Sequence, residues 1–378
     1  MKKLRVLSIF GTRPEAVKMA PVVKALEAQP GVESRVCVTA QHREMLDQVL
    51  SLFDIHPDID LNLMRPNQTL AELTSAIFSH LDPVLVDLQP DWILIQGDTT
   101  TAMTGALAAF YRRIHIGHVE AGLRTFDKWQ PFPEEINRCM ISVIADLNFA
   151  PTQRSFENLR NGGVPEWRIT MTGNPVIDAL HTIGSRPAPL EAVELLNRLQ
   201  IAPGKKDLVL ITAHRRENFG EPIENICRAL RSLAESDPDR LELVYPVHLN
   251  PNIQEPVYRL LGGVSNITLT QPLEYLPLVH LMRQSKIILT DSGGIQEEAT
   301  ALGVPVLVLR RTTERPEGVE AGTLKLVGTD TRVIFQEARR LLDDSQAYES
   351  MHTAKNPFGD GHAAEYIVKA LLNFQEQL

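Results

Sequence analysis

The chain has 378 residues, of which 43% are hydrophobic and 22% charged, and its formal net charge at pH 7 is −9. This length exceeds the usual size of one domain and predicts two. The negative charge argues against nucleic acid or a membrane as partner, because both attract basic proteins.

The sequence contains no run of about 18 apolar residues, which a membrane-spanning helix would need. Its start, "MKKLRVLSIFGTRPEA", reaches the charged Arg13 before a signal-type apolar core can form. Cys37, Cys139 and Cys227 lack the spacing of a disulfide framework or a zinc site. We therefore predict a cytoplasmic protein with no metal site.

Short runs rich in Val, Ile and Leu alternate with longer amphipathic stretches. Continuous apolar runs are typical of strands buried on both faces, as in a parallel sheet covered by helices. The first set of predicted strands is 4–10, 34–40, 92–98, 114–120, 146–151 and 168–175. The second set is 207–214, 241–248, 266–270, 286–293, 304–309 and 322–328.

The boundary between the two α/β domains is predicted in the segment 176–205, where Pro, Gly and polar residues surround one short helix. The predicted domains are therefore 1–175 and 176–361. The final segment, 362–378, is predicted as a helix with one apolar face. It either closes the second domain or crosses back onto the first.

Charged and tautomeric side chains collect where the predicted strands end. In open parallel sheets, ligands bind outside the carboxyl ends of the strands. The concentration of such groups in both halves predicts one cleft between the two domains. The groups are Arg13, Gln41, Asp98, Glu120, His214, His248 and Asp291.

The first turn, "FGTRPEAVKMA", precedes a predicted helix but lacks the GxGxxG dinucleotide fingerprint, because Arg13 and Ala16 stand where its later glycines would be. This argues against NAD. Arg13 at the helix N-terminus and Lys18 one turn inside are placed to address a phosphate. The alternative is that both lie on a solvated helix face.

The segment "LTDSGGIQEEATALG" predicts a second anion site. Ser292, Gly293 and Gly294 form a tight turn that opens a helix, whose free N–H groups suit a diphosphate. Glu298, about one turn further on, is placed to accept ribose hydroxyls, whereas Glu297 is predicted to be a solvated surface charge. A plain serine cap with a glycine turn is the alternative.

The segment "ITAHRRENFG" places His214, Arg215 and Arg216 at a strand end. Such a cluster is costly to bury and makes sense facing phosphates. His248, in "VYPVHLNP", is a weaker candidate for the same site.

Three acids of the first half, Asp98, Glu120 and Glu134, converge without a metal-ligand pattern. Like charges and burial raise the pKa of a carboxyl group toward the working range, so the cluster indicates proton transfer. The alternative for Asp98 is a simple cap of the helix that follows it.

Eleven collinear motifs, from about residue 5 to about residue 370, closely resemble the non-hydrolysing UDP-N-acetylglucosamine 2-epimerases. They are "FGTRPEAVKMAP", "TAQHREMLDQVL", "GDTTTA", "GHVEAGLRT", "PFPEEINR", "TGN", "TAHRREN", "VYPVHLNP", "TDSGGIQEEA", "TTERPE" and "NPFGDGHA".

The resemblance implies two Rossmann-like domains with parallel sheets facing a central cleft, the GT-B type, usually as a homodimer. In that fold the final helix crosses back to the first domain. The implied reaction converts UDP-N-acetylglucosamine to UDP-N-acetylmannosamine without NAD or a required metal. A base removes the C2 proton, UDP leaves anti, and UDP adds again to 2-acetamidoglucal after reprotonation on the other face.

The resemblance also assigns roles to residues. Asp98, Glu120 and Glu134 match the acid and base positions, and which of them removes the C2 proton stays open. The UDP ligands are implied to be Arg13, Lys18, His214, Ser292, Gly293, Gly294 and Glu298, and His214 is counted with the catalytic residues as well. Some members are activated by a second UDP-N-acetylglucosamine at positions matching Gln41, Glu134, Arg215 and His248, and we predict such activation here.

Three positions depart from the family pattern: Pro175, Thr300 and Arg311. Arg311 adds a cation near the predicted nucleotide site, so a 2-epimerase of a UDP-2,3-diacetamido sugar acid is one alternative. A GT-B glycosyltransferase, which shares the fold and the glycine turn, is another.

Overall fold

The structure is a computed structural model that describes residues 3–39, 43–65, 68–202 and 204–375. The chain divides into two compact units. Unit 1 consists of Met1–Ala179 and Phe358–Leu378, and unit 2 of Leu180–Pro357.

Unit 1 is built on a parallel sheet of seven strands in the order β3-β2-β1-β4-β5-β6-β7. Its central strands are buried on both faces, as their continuous apolar sequences require. The strands are β1 (Leu4–Phe10), β2 (Val32–Val38), β3 (Ile59–Asp60), β4 (Trp92–Gln96), β5 (His115–Val119), β6 (Leu147–Ala150) and β7 (Ile169–Met171).

The helices of unit 1 include the last helix of the chain. They are α1 (Arg13–Ala28), α2 (Arg43–Leu52), α3 (Leu70–Leu88), α4 (Thr100–Tyr111), α5 (Glu134–Ile144), α6 (Gln153–Asn161) and, at the other end of the chain, α16 (Ala363–Gln375). Asp178 accepts hydrogen bonds from the backbone N–H groups of Ala363 at 3.2 Å and Ala364 at 2.8 Å. These bonds cap α16, and Phe374 near its other end packs edge-on against Trp92 at 5.2 Å.

Unit 2 repeats the same plan with six parallel strands in the order β10-β9-β8-β11-β12-β13. The strands are β8 (Asp207–Thr212), β9 (Leu241–Pro246), β10 (Ile267–Thr270), β11 (Ser285–Thr290), β12 (Val306–Val308) and β13 (Leu324–Leu326). The chain enters this unit within α7 (Pro175–Gly184). The helices that follow are α8 (Leu190–Arg198), α9 (Glu221–Ser236), α10 (Pro251–Leu261), α11 (Tyr275–Gln284), α12 (Gly293–Ala301), α13 (Pro316–Glu320), α14 (Thr331–Asp343) and α15 (Ser345–His352).

All twelve predicted strands are confirmed within a few residues at their ends, and the α/β class with two parallel sheets is confirmed. The sequence missed β3, whose pairing with β2 involves only two residues. The segment 176–205 was wrongly predicted to hold one helix, because it contains most of α7 as well as α8. The apolar residues Ile177, Leu180 and Ile183 bury one side of α7, which explains the extra helix.

Each sheet reverses its strand order beside its first strand, so that β1 lies next to β4 in unit 1 and β8 next to β11 in unit 2. Ligands of doubly wound sheets bind at the carboxyl ends of the strands at this switch point. Residues following these four strands are therefore the first candidates for a site in either unit.

Candidate functional site

Asp98 lies directly beyond β4, at the switch point of unit 1. Gly97 before it has a positive φ of 69°, which turns the chain away from the sheet. Thr99, not Asp98, caps α4, because its side chain accepts a hydrogen bond from the N–H of Ala102 at 3.0 Å. The alternative reading of Asp98 as a helix cap is therefore wrong, and its carboxylate is available for another role.

Glu120 lies at the end of the neighbouring strand β5, with only 6% of its surface exposed. Its backbone is left-handed, with φ 61°, a conformation that costs free energy for a residue other than glycine and concentrates at functional sites. Lys18 donates to both carboxylate oxygens at 2.6 Å, and Asn174 donates at 3.0 Å. Gln96 is a further donor. These donors hold the carboxylate in one orientation.

Lys18 is therefore not a solvated charge on a helix face, since only 13% of its side chain is exposed and it forms an ion pair with Glu120. The structure thus joins a predicted phosphate ligand to a predicted acid or base. Direct contact between Lys18 and UDP stays a prediction.

The environment of Asp98 raises the pKa of its carboxyl group to about 6. Burial is the largest cause, because it disfavours the charged form. The positive charge of Arg138 opposes burial, whereas the negative charges of Glu120 and Glu134 act in the same direction as burial. Near neutral pH, such a carboxyl group can both accept and give up a proton.

Glu134 is the first residue of α5, and it is half-buried. A carboxylate in the first turn of a helix is stabilised by the positive end of the helix dipole. The negative charge of Glu134 raises the pKa of Asp98, so Glu134 belongs to the same cluster of charges. The three acids predicted from the sequence are thus neighbours in unit 1.

Arg13 is the first residue of α1 and is half-buried. Thr12 and Glu15 form a capping box, in which Glu15 accepts from the N–H groups of Gly11 at 3.1 Å and Thr12 at 2.7 Å. These N–H groups are engaged by the protein itself. These two N–H groups are therefore not free for a phosphate, and the predicted phosphate contact at this end of α1 falls to Arg13.

Asp291 organises the switch point of unit 2 and is fully buried. One of its oxygens accepts from the backbone N–H groups of His214 and Arg215 and from the side chain of Asn218, each at 2.8 Å. The carboxylate at the end of β11 thereby fixes the loop that follows β8. From the sequence, Asp291 was predicted only as a polar strand end, and this role was missed.

His214 approaches the second oxygen of Asp291 through Nδ1 at 3.4 Å. Its ring stacks on that of His248, with 5.4 Å between centroids and 11° between planes. Burial is the main cause that lowers the pKa of His214, and Asp291 partly offsets it. His214 and His248, predicted separately from two strand ends, are brought together here.

The N-terminus of α12 is flanked by two guanidinium groups. A Cβ atom placed on Gly293 would lie 3.7 Å from nitrogens of both Arg215 and Arg315. Ser292 is the cap residue, so the helix begins here with its positive end beside two cations. A helix N-terminus flanked by two cations has the chemistry that binds phosphates, and phosphate binding at this place stays a prediction.

Arg315 was missed as a candidate, although it lies in the motif "TTERPE". It is buried and forms an ion pair with Glu297, of which 2% is exposed. The prediction that Glu297 is a solvated surface charge is therefore wrong. The helical spacing was read correctly, but the loop that carries Arg315 covers that face of α12.

Glu298 lies inside α12 and accepts a hydrogen bond from the hydroxyl group of Tyr275 at 2.6 Å. It is 5% exposed, and Gly294, one turn earlier, lies beside its carboxylate. The contact of Glu298 with ribose stays a prediction. Arg311 is exposed, and Gln41 lies outside the described residues.

The described parts of the chain contain no group of three or more His, Cys, Asp and Glu residues able to hold a metal ion. Within the same parts, no helix is long and apolar enough to cross a membrane.

The chain is similar to known proteins in sequence and in fold. A family model described as UDP-N-acetylglucosamine 2-epimerase matches residues 24–372. The UDP-N-acetylglucosamine 2-epimerase of Salmonella typhimurium is 52% identical over 377 residues, which covers 99% of this chain and 100% of that protein. The enzyme of the same name from Yersinia pestis is 54% identical, with the same coverage. The crystal structure of UDP-GlcNAc 2-epimerase from Neisseria meningitidis bound to UDP-GlcNAc is 50% identical, with a TM-score of 0.90, covering 98% of this chain and 100% of that chain.

Proposed function

This chain belongs to the non-hydrolysing UDP-N-acetylglucosamine 2-epimerase family, and we propose that it interconverts UDP-N-acetylglucosamine and UDP-N-acetylmannosamine by elimination and re-addition of UDP. The observation that carries the mechanism is the carboxyl group of Asp98. Its pKa of about 6 suits proton transfer, and it lies in one cluster with Glu120 and Glu134.

In the proposed forward step, a carboxylate of unit 1 removes the proton from C2 of the sugar. The electron pair of the broken C2–H bond forms the double bond between C1 and C2. The bond between C1 and the diphosphate oxygen breaks with its electrons, so that UDP leaves as an anion and 2-acetamidoglucal remains. No net oxidation or reduction occurs, and the step as written needs neither NAD nor a metal.

The C2 proton is only weakly acidic, so its removal needs the assistance of the departing diphosphate. Cations around the diphosphate stabilise the negative charge that develops on it. The site at the start of α12 supports this role through Arg215, Arg315 and the free end of the helix. Ser292, Gly293 and Gly294 are proposed to bind the diphosphate, together with His214. Arg13 and Lys18 are proposed as further UDP contacts, and Glu298 as the ligand of the ribose.

The return step delivers a proton to C2 on the opposite face, and a diphosphate oxygen bonds to C1 again. Two faces of C2 must be served, so two acid or base groups, or one group and a rotated intermediate, are required. Asp98, Glu120 and Glu134 are the candidates.

Incubation of the protein with UDP-N-acetylglucosamine in heavy water tests this proposal. Deuterium at C2 of the recovered sugar nucleotides, with UDP-N-acetylmannosamine as a product, is the expected result. Unlabelled substrate would overturn the proposal and favour a glycosyltransferase. UDP accumulating in step with turnover would indicate a hydrolysing enzyme instead.

A homodimer is proposed as the working form. Ile136, Met140 and Val143 form an exposed apolar stripe on α5, and the exposed Phe110 and Tyr111 lie at the end of α4, which packs against α5.

Activation by a second UDP-N-acetylglucosamine, through positions that include Glu134, Arg215 and His248, is also proposed. A cytoplasmic location stays a prediction from the sequence.

The exposed Arg311 carries the second candidate function, 2-epimerisation of a UDP-2,3-diacetamido sugar acid. A cation at this position suits a substrate with an added carboxylate. Epimerisation rates measured side by side with UDP-N-acetylglucosamine and with the acidic sugar nucleotide distinguish the two candidates.

A further inference from the structure

The inner face of α5 holds Asp98 at two points. Arg138 approaches the carboxylate, with 3.2 Å between Nη2 and Oδ2. Asn137, the preceding residue of the helix, donates from its side chain to the backbone carbonyl oxygen of Asp98 at 2.9 Å. The helix therefore fixes both the main chain and the side chain of Asp98.

Arg138 is itself held in place, with only 6% of its side chain exposed. Its Nε lies 3.5 Å from a carboxylate oxygen of Glu135 and donates to the carbonyl oxygen of Glu134 at 3.4 Å. Glu135 in turn accepts from the N–H groups of Thr125 and Phe126, each at 3.0 Å. A planar guanidinium group braced in this way has little freedom to turn away from Asp98.

Charged groups reach Asp98 from each element packed around it. They are Lys18 from α1, Glu120 from the end of β5, and Glu134 and Arg138 from α5. Glu15 of α1 and His118 of β5 contact its chain neighbours, Thr99 and Gly97 respectively. Among the charges that favour the ionised form of Asp98, Arg138 has the largest effect, ahead of Lys18.

We propose that Arg138 is a positioning residue for the epimerisation, which holds the carboxyl group of Asp98 in one orientation and keeps its ionised form accessible. This proposal rests on the proposed function, because it assigns Asp98 a part in proton transfer. Arg138 itself touches Asp98 and not the reacting atoms.

Loss of the guanidinium charge moves the titration of Asp98 to higher pH. A positive charge beside a carboxylate lowers its pKa by about one unit or more, and removing the charge reverses that effect. The limb of the pH–rate profile that depends on Asp98 moves to higher pH, whether Asp98 acts as the base or as the acid. The direction is therefore independent of the role that remains open.

The test compares Arg138→Gln with wild type in kcat and KM between pH 5 and 9. We expect kcat to fall about tenfold to hundredfold at neutral pH, the size of a disturbed proton transfer. KM and the affinity for UDP stay within about twofold, and the limb moves up by about one pH unit. Arg112→Gln, which breaks an exposed ion pair with Asp82 of the same unit, is the matched control and keeps the wild-type profile.

Arg138→Lys is the conservative variant. It keeps the charge but loses the planar fork, so the limb should stay near its wild-type position while kcat falls less than in Arg138→Gln. An unshifted limb in Arg138→Gln, or a loss of kcat that Arg138→Lys does not relieve, overturns the proposal. If Arg138→Gln does not fold, Arg138→Lys decides, because wild-type kcat in that variant contradicts a positioning role.

A readout without turnover separates this proposal from the proposed function. The carboxyl carbon of Asp98 can be followed by NMR in protein labelled at aspartate and assigned by its loss in Asp98→Asn. Its titration midpoint should be higher in Arg138→Gln than in wild type, and equal midpoints overturn the proposal. Absence of deuterium exchange in wild type would instead contradict the function.

Discussion

Glu120 combines a buried carboxylate, a left-handed backbone and donors from three other parts of unit 1. An ionised carboxylate is stable in a buried position only when such partners satisfy it. The arrangement costs free energy at the end of β5 and fixes one carboxylate with a defined direction. These properties suit an acid or base of a reaction better than a purely structural residue.

Glu120→Gln keeps the size of the side chain but removes its charge. We expect turnover to fall by about a hundredfold to ten-thousandfold, while the affinity for UDP measured by calorimetry stays within about twofold. Glu27→Gln, at an exposed ion pair with Lys24, is the control and should behave as wild type. A near-normal rate in Glu120→Gln would refute its catalytic role.

His118 lies fully buried in β5, and its Nε2 bonds to the carbonyl oxygen of Gly97 at 2.7 Å. Burial lowers its pKa from 6.5 to about 4. As the pH falls below 6.5, His118 binds a proton in the unfolded chain but not in the folded one. The free energy of unfolding therefore decreases until the pH reaches about 4, where the folded state binds the proton as well.

His118→Gln should reduce this acid sensitivity, because glutamine does not titrate. The expected change is on the order of 3 kcal/mol less stability lost between pH 7.5 and pH 4. Urea unfolding at both pH values measures it. His56→Gln, at an exposed histidine, should lose as much stability as wild type over the same range.

At the scale of elements, α5 and α12 each begin at a candidate site. The first turn of α5 presents Glu134, and its inner face holds Asp98 through Asn137 and Arg138. The first turn of α12 lies between two arginines. One face of α5 and most of α12 are buried, which keeps the N-terminal end of each helix in place.

Gly293→Ala introduces a methyl group into the space between Arg215 and Arg315. Its neighbours lie 3.7 Å away, an ordinary contact distance, so the protein should fold with its melting temperature nearly unchanged. The methyl group occupies the place proposed for the diphosphate, and we expect UDP to bind about tenfold more weakly. Gly184→Ala, at the end of α7, is the control for calorimetry. Its added Cβ would meet its neighbours at 3.8 Å and beyond, again an ordinary contact distance.

The exposed apolar stripe of α5 leads to a test of the proposed homodimer. Val143→Glu places a charge on that stripe, where 76% of the valine is exposed, and should convert a dimer into monomers. Light scattering coupled to gel filtration measures the mass. Val333→Glu, at an exposed valine of α14, should leave the dimer intact, whereas a monomeric wild type would contradict the proposal.

For the whole molecule, the order of the first six strands of unit 1 recurs in unit 2, but the side chains at the two switch points differ. The switch point of unit 1 carries carboxylates, and that of unit 2 carries cations and a free helix end. Because the chain has a net charge of −9, the anionic leaving group of the proposed reaction needs this local concentration of arginine and histidine.

Activation by a second substrate molecule is tested on the intact enzyme. Epimerisation that starts from UDP-N-acetylmannosamine alone should show a lag, and a trace of UDP-N-acetylglucosamine should abolish it. Prompt full turnover without added UDP-N-acetylglucosamine would count against a second site. His248→Ala should weaken the activation more than the affinity for UDP if the proposed site is correct.

Most of the fold could be predicted from the sequence, because buried parallel strands require continuous apolar runs. These runs can be recognised without knowing which strands are neighbours in the sheet. The exceptions were β3, which is too short to give a pattern, and α7, whose residues lie among prolines and polar residues near the domain boundary. The candidate residues at strand ends were also predictable, since the topology brings the carboxyl ends of strands to one edge.

The sequence by itself determined the two α/β sheets, the residues at their strand ends and the family of the chain. Only the tertiary structure decided how those residues are paired. Lys18 meets Glu120, Arg138 meets Asp98, and Arg315 meets Glu297. Such pairs join elements that are distant along the chain, and burial sets both their strength and the pKa of Asp98. Periodicity in the sequence reports which face is buried, but it does not report which charge lies opposite.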